Sequence, residues 1–386
     1  MLPKSNKVVF VIHGLPMGGA EKFLITLSNH LYERHYRPHV ILLSNDNKLI
    51  GELHPLIPVY HVLKNSRYDL TISKRINLLI DSIDPHVIMC INTYAYFLTR
   101  IGQLFSNKKS IILSPHSTIP FSWYNYFQNL VYLRFLQRAD QIVYLCKAQH
   151  FFLKKTYKLG KHQNRIVYNG VDTEYFNPIL LHQSTRNILR NTFGINPLDK
   201  VIIQVARIQK EKCHSDAIMA LSFLKSQKND TSTHLVICGS GNSTYVASLK
   251  AIVQREGLKD FVHFIGSQSD VRPYLYMSDL FTLTSESETF SIAALEAMSM
   301  GLPVVLTDIG GAREMVVSGS NGELVKPHCS KELANAWQKV LHSNFQSRNI
   351  REHIIEKFSI HHMIDRYEDL LFLNDTPINQ LKYVAT

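Results

Sequence analysis

The run LFTLTSESETFSIAALEAMSMGLPVVLTDIGG, residues 280–311, holds a strand–helix–strand unit. LFTLT (280–284) and PVVLT (303–307) are continuous apolar runs, the pattern of parallel strands covered on both faces. A helix is expected from Ser291, small and apolar through Ile292, Ala293, Ala294, Leu295, Ala297 and Met298, and ended by Gly301-Leu302-Pro303. Glu296 falls in that apolar surface. Glutamate is almost never fully buried unless paired, so a partner such as hydroxyl groups or a cation is expected. Glu288, ahead of the helix, reads on its own as an ordinary exposed loop acid beside Glu286. Gly310-Gly311 opens a turn accessible to a phosphate.

The same alternation extends in both directions. VVFVIH (8–13), HVILLS (39–44), HVIMCI (86–91), SIILSP (110–115), QIVYLC (141–146) and RIVYNG (165–170) are strand candidates, followed by VIIQVA (201–206), HLVICG (234–239) and VHFIG (262–266). Longer segments of helical period separate them, which argues for α/β architecture with doubly wound parallel sheets. The pattern occurs twice around a polar stretch, roughly 172–200, containing Pro178 and Pro197. Two Rossmann-like domains facing across a cleft are therefore expected, over residues 1–178 and 190–358. The stretch between reads as a linker, and a C-terminal helix at about 360–375 is expected to pack back on the first domain. Ligands of such sheets sit beyond the carboxyl ends of the strands.

Among 386 residues, 45% are hydrophobic and 19% charged, enough for sizeable cores and contrary to wholesale disorder. No apolar run approaches the roughly 18 residues of a membrane span, and the first residues read as a strand rather than a signal peptide. The five cysteines (Cys90, Cys146, Cys213, Cys238, Cys329) show no C-x-x-C spacing, which fits a reducing cytosol and argues against a disulfide framework or a four-cysteine zinc site. Net charge is +11, and all of the excess lies early: residues 1–178 hold 21 Lys and Arg against 10 Asp and Glu, whereas residues 179–386 hold 21 of each. That basic half is either a solvated surface or a face for an anionic partner, such as acidic lipid. No nucleic-acid recognition motif accompanies the charge.

Strand ends carry the remaining candidates. Gly18 and Gly19 open a helix after the first strand and suit either a tight turn or a phosphate loop. Arg207 and Lys212, after VIIQVA, suit a diphosphate, although a solvated basic loop would look alike. His116 follows SIILSP. IPFSWYNYFQNLVYLRFLQRAD (119–140), rich in aromatics with Arg134 and Arg138, reads first as a core-packed helix and second as an element dipping into a membrane surface. His361-His362 lacks a third ligand at sensible spacing, so no metal site is expected.

The 284–316 segment resembles the Glu-x7-Glu signature of retaining GT-B glycosyltransferases of family 4, with Glu288 and Glu296 as its ends and Glu-Ala-Met-x-x-Gly-x-Pro-Val-Val following. In matching order, Gly-Gly-Ala-Glu (18–21) is similar to the family's N-terminal loop and Tyr-Asn-Gly-Val-Asp-Thr-Glu-Tyr-Phe (168–176) to its segment between the domains. Val-Ala-Arg-x-x-x-x-Lys (205–212) is similar to its diphosphate pair, Cys-Gly-Ser-Gly (238–241) to its glycine turn, and Phe-Ile-Gly (264–266) to its base-proximal loop. Thr289 and Ser291 depart from common glycines, Cys146 from a common serine, and Asn92 from a frequent histidine.

This resemblance implies transfer of a sugar from a nucleotide-diphosphate sugar to an acceptor hydroxyl, with retention at the anomeric carbon and without a metal or other cofactor. It casts Glu288, His116, Arg207 and Lys212 as catalytic. Donor contacts fall to Gly18, Gly19, Arg207, Lys212, Gly239, Ile265, Thr289, Phe290, Ser291 and Glu296. Glu296 would bind ribose hydroxyls, Glu288 the donor sugar, and the two cations the departing diphosphate. A glycan or lipid-linked acceptor is expected, met in the cytoplasm or at the inner face of the cytoplasmic membrane through peripheral contact with anionic lipid. No nucleic acid is expected as partner. Two alternatives come from other classes: a nicotinamide dehydrogenase, disfavoured because G-x-G-x-x-G is missing after the first strand, and a non-catalytic binder of sugar nucleotides or of a partner protein.

Overall fold

A computed structural model of the chain describes residues 6–66, 69, 71–105, 109–116, 123–159 and 163–372. The chain divides into two compact units, Met1–Tyr168 with His361–Thr386 and Asn169–Ile360.

In the first unit, strands β1 (Lys7–Ile12), β2 (Arg37–Leu42), β3 (Val59–His61), β4 (Val87–Ile91), β5 (Ile111–Ser114), β6 (Gln141–Tyr144) and β7 (Gln163–Ile166) form one parallel sheet in the order β3-β2-β1-β4-β5-β6-β7. The second unit holds β8 (Lys200–Val205), β9 (Thr233–Cys238), β10 (Val262–Gly266), β11 (Leu280–Leu283), β12 (Val304–Thr307) and β13 (Gly322–Val325), in the order β10-β9-β8-β11-β12-β13. Its strand pairs are parallel throughout. Both sheets start near their middle, run to one edge and then cross to the other side of the first strand. Each therefore has a switch point, between β1 and β4 in one and between β8 and β11 in the other, where loops diverge and leave a crevice.

Burial explains the continuous apolar runs. Val8 to Val11 and Val201 to Ile203 are fully buried, because helices cover both faces of each sheet. Each such side chain contributes roughly 1.5–3 kcal/mol relative to exposure. Each unit has its own core. One is built on Ile76, Ile88, Tyr96 and Tyr144, and the other on Ile202, Leu221, Leu235 and the fully buried Trp337.

The stretch 172–200 is not a linker. Pro178 opens a short 3-10 turn, Pro178–Leu180, and Gln183–Thr192 is a helix belonging to the second unit. Its polar sequence concealed it because ions rather than an apolar face hold it. Arg186 and Arg190, one helical turn apart, both reach Asp279 at 2.6 and 2.8 Å. Arg190 is 2% exposed and donates to the Met277 and Asp199 carbonyls as well.

The helix Ile360–Phe372 packs in the first unit. Arg34 pairs with Glu368 and, at 2.7 Å, with Asp365. Tyr367 lies 5.2 Å from Phe23 between ring centroids, and Phe372 stacks on Tyr36 at 4.0 Å.

Within the aromatic stretch, residues 119–122 lie outside the described residues, and Trp123–Leu133 is a helix. It is core-packed on one side only. Tyr126, Leu130 and Leu133 meet the core, while Trp123, Phe127 and Val131 are 79%, 58% and 52% exposed and share a face at four-residue spacing.

Candidate functional site

Arg207 follows β8 and Glu288 follows β11, so both lie at the switch point of the second sheet. Arg207 is exposed. Lys212 Nζ lies 2.5 Å from Glu288 Oε2, with side-chain exposures of 16% and 25%. The carboxylate and the ammonium expected to meet a donor are thus each other's partner in this state. Such a pair can open to a ligand that offers the lysine a better anion.

Gln204 in β8 and Thr284, just past the end of β11, hold the backbone of the turn that carries Lys212. Gln204, fully buried in β8, donates from Nε2 to the Lys212 carbonyl at 3.1 Å and to Thr284 Oγ1 at 3.2 Å. Thr284 Oγ1 lies 3.0 and 2.8 Å from the Lys212 and Cys213 carbonyls, to one of which it donates. Both residues escaped the sequence reading. The available signal was a glutamine inside the apolar run VIIQVA, since a buried amide needs hydrogen bonds, and here its Nε2 finds them at Lys212 and Thr284.

The loop carrying Glu288 is held from below. Gly311 N–H donates to the Thr289 carbonyl at 2.8 Å. Gly310 has φ +52°, and a Cβ there would stand 2.1 Å from the Glu288 carbonyl oxygen. Backbone packing accounts for this glycine pair, where the sequence suggested a phosphate turn. Thr307 Oγ1 donates to the Ser285 carbonyl at 2.7 Å. Ser285, Glu288, Thr289, Ser291 and Thr307 line a small hollow at this point.

Ser291 caps the helix Ile292–Ser299, its Oγ accepting from Ala294 N–H at 3.2 Å. Thr289, Phe290 and Ser291 are all buried. Phe290 faces Phe358 at 5.5 Å between centroids, and its carbonyl accepts from Asn169 at 3.0 Å, so its side chain anchors the loop. Glu296 is 8% exposed on the same helix. Burial, with the Glu296 charge adding to it, pushes the Cys238 thiol up to about 11.

Gly239 follows Cys238, and a Cβ on it would stand 1.9 Å from the Ala206 carbonyl. Only glycine lets this turn lie beside the segment that leads to Arg207. Its N–H donates to the Gly266 carbonyl at 2.9 Å, which places Ile265 next to this turn. The second unit therefore brings together Arg207, Lys212, Gly239, Ile265, Glu288 to Ser291, and Glu296 around the ends of β8, β9, β10 and β11.

The remaining candidates belong to the first unit. Gly18 caps the helix Gly19–Glu33 without a side-chain hydrogen bond, and Glu21 Oε2 occupies the space a Gly18 Cβ would need. His116 follows β5, with Nε2 3.3 Å from Ser114 Oγ and its ring 4.5 Å from that of Phe23. Burial pushes its pKa down to about 3, so the imidazole is neutral near pH 7 and offers hydrogen bonds, not charge. Among the described residues, no helix is long and apolar enough to cross a membrane.

A family model described as glycosyl transferases group 1 matches residues 185–357, and one described as Glycosyltransferase Family 4 matches residues 17–175. An N-acetyl-alpha-D-glucosaminyl L-malate synthase of Bacillus anthracis is 26% identical over 58% of this chain and 58% of its own length. A UDP-Gal:alpha-D-GlcNAc-diphosphoundecaprenol alpha-1,3-galactosyltransferase of Escherichia coli is 25% identical over 85% of this chain and 81% of its own. The match spans only about half the length of several curated relatives, 37% and 45% in two further cases. Among solved structures, HepE of Anabaena in complex with UDP superposes with a TM-score of 0.81 at 21% identity, covering 95% of this chain and 99% of that one. Its complex with UDP-glucose gives 0.80 at 22% identity, with the same coverage.

Proposed function

We propose, for a chain that belongs to the GT-B glycosyltransferases of family 4, that it moves a sugar from a nucleoside-diphosphate donor to an acceptor hydroxyl with retention at the anomeric carbon. The observation that carries this reading is the group Arg207, Lys212 and Glu288 at the carboxyl ends of β8 and β11. Arg207 and Lys212 take the diphosphate and stabilise the negative charge that develops as the glycosidic bond breaks. Glu288, released from Lys212, binds donor-sugar hydroxyls and offsets positive charge at the anomeric carbon. Glu296 holds the ribose. The acceptor proton passes to the leaving phosphate, so neither a second carboxylate nor a metal is needed for the transfer. His116, being neutral, gives a hydrogen bond to a substrate hydroxyl.

The HepE complexes and the name of the Escherichia coli relative make uridine diphosphate hexoses the first donors to try. That relative's name also favours a lipid-linked glycan as acceptor, met by peripheral contact with an anionic membrane. Supporting this contact are the basic residues 1–178 and the exposed face of Trp123, Phe127 and Val131, beside the exposed Arg134 and Arg138.

The test is a panel of sugar nucleotides scored by thermal shift, followed by transfer assays with the donor that stabilises most. A ligand of the folded state raises stability as RT ln(1 + [L]/Kd). The reading falls if no sugar nucleotide raises the melting temperature. Binding without turnover on any glycan acceptor would favour the non-catalytic binder. Vesicle co-sedimentation tests the membrane contact. Binding should prefer anionic lipid, fade with salt as the Debye length shrinks from about 10 Å at 0.1 M to about 3 Å at 1 M, and drop when Trp123, Phe127 and Val131 become serine.

A further inference from the structure

Cys213, Glu286 and His328 come from three segments far apart in the sequence, yet each offers a ligating atom within 4.8 Å of the others. Cys213 is buried at the start of the helix His214–Gln227, Glu286 stands in the loop after β11, and His328 follows β13. The imidazole of His328 faces a carboxylate on each side. Asp216 Oδ2 lies 3.2 Å from Nδ1, and Glu286 Oε2 lies 3.3 Å from Nε2. The Cys213 sulfur stands at the same point, and sulfur, imidazole and carboxylate together are the donor set of a zinc-type ion.

We infer that Cys213, Glu286 and His328 form a binding site for one divalent ion of zinc type, with Asp216 holding the Nδ1–H of His328 so that Nε2 faces the metal. Two nitrogen or oxygen ligands about 2.1 Å from a tetrahedral ion stand about 3.4 Å apart. The His328–Glu286 separation of 3.3 Å already meets this, and the Cys213 sulfur lies within 4.8 Å of both. Asp216 is the outer support usual for a metal-bound histidine. The fourth position is left to water or a ligand. The sequence concealed the site because no two of its residues fall in a recognisable spacing.

Such an ion clamps the loop bearing Glu288 to the turn bearing Lys212. The Glu286 N–H already donates across this junction to the Glu211 carbonyl at 2.9 Å. No step of sugar transfer runs through the ion.

The experiment uses the full chain, freed of metal by chelation and titrated with cobalt(II) and then zinc(II). Wild type should bind one cobalt per chain with a thiolate-to-cobalt charge-transfer band, which zinc abolishes. Zinc should also raise the melting temperature. Cys213→Ser should remove the band, whereas Cys329→Ser, altering the thiol beside His328, should keep it. Asp216→Asn should weaken binding about 10–100-fold. His328 has φ +58°, a conformation that glycine adopts without strain. His328→Gly should therefore weaken zinc binding at least about tenfold while the metal-free protein melts no lower than wild type. This arm stands even if Cys213→Ser fails to fold. A missing band in wild type, a band that survives Cys213→Ser, or zinc affinity unchanged in His328→Gly would each overturn the assignment.

Discussion

Glu288→Gln should separate two properties that the ion pair with Lys212 holds together. With side-chain exposures of 16% and 25%, the pair is shielded but reachable by solvent. Hydrogen bonds to charged groups are worth roughly 1.5–3 kcal/mol, and solvent screening puts this one at the low end. A diphosphate approaching Lys212 must take the ammonium from Glu288, so that the cost of parting the pair enters the binding constant. Glutamine keeps the shape and one accepting oxygen but gives up the charge. Removing about 1.4 kcal/mol of competition is a factor of about ten. The nucleoside diphosphate should thus bind as well as to wild type, or up to about tenfold tighter. Turnover should move the other way, by on the order of 100-fold or more, because the charge that stabilises the anomeric centre is lost. Calorimetry with UDP and initial rates at saturating donor give the two numbers, and the melting temperature checks that the fold is intact. The reasoning is refuted if UDP affinity and turnover fall together, or if turnover is unchanged.

Four further outcomes are expected. Arg207→Ala should weaken binding of a nucleoside diphosphate by about 10–150-fold, from roughly 1.5–3 kcal/mol per charged hydrogen bond, with little effect on the nucleoside; calorimetry showing equal losses would place Arg207 elsewhere. Thr284→Val removes the hydroxyl that holds the Lys212–Cys213 turn, so the donor KM should rise and stability should drop by about 1–3 kcal/mol in denaturant titration. Gly310→Ala forces a Cβ against the Glu288 carbonyl at φ +52°, and should cost about 1–2 kcal/mol or more and reduce turnover, as scanning calorimetry and rate measurements would check. Burial depresses His116 to about 3, and His214 and His263 to about 4, from an ordinary 6.5. The unfolded chain then binds more protons, so stability is fully present above pH 6.5 and falls as pH drops toward 4, by up to about 1.4 kcal/mol per pH unit for each group. Replacing His116 and His214 by glutamine should flatten this slope in melting experiments.

Parallel strands were legible in the sequence because burial on both faces writes itself as unbroken Val and Ile runs, and the helix of Glu296 because it is small and apolar between its serine cap and Gly301. β3 and β13 were not, being edge strands of three and four residues with little apolar content. The helix Gln183–Thr192 was hidden for a different reason, since its hold on the protein is two arginines on one aspartate. Residue types at a strand end nominated Arg207 and Lys212, whereas Glu288 was nominated by the resemblance of its segment to the Glu-x7-Glu signature. The pairing of Lys212 with Glu288, and the hold of Thr284 on the Lys212–Cys213 turn, depends on contacts between residues more than 70 positions apart, which no local pattern encodes.

Because the helix Ile360–Phe372 completes the first unit, that unit is interrupted by the whole of the second. During synthesis Phe23 and Tyr36 leave the ribosome long before Tyr367 and Phe372, the rings they meet in the finished molecule. The early part of the chain must therefore wait with an apolar groove uncovered, a period in which it is open to chaperones and to self-association. A fragment cut at residue 168 would stay in that condition. Joining 361–372 to it through a short linker should restore solubility, because that helix supplies the rings that cover Phe23 and Tyr36.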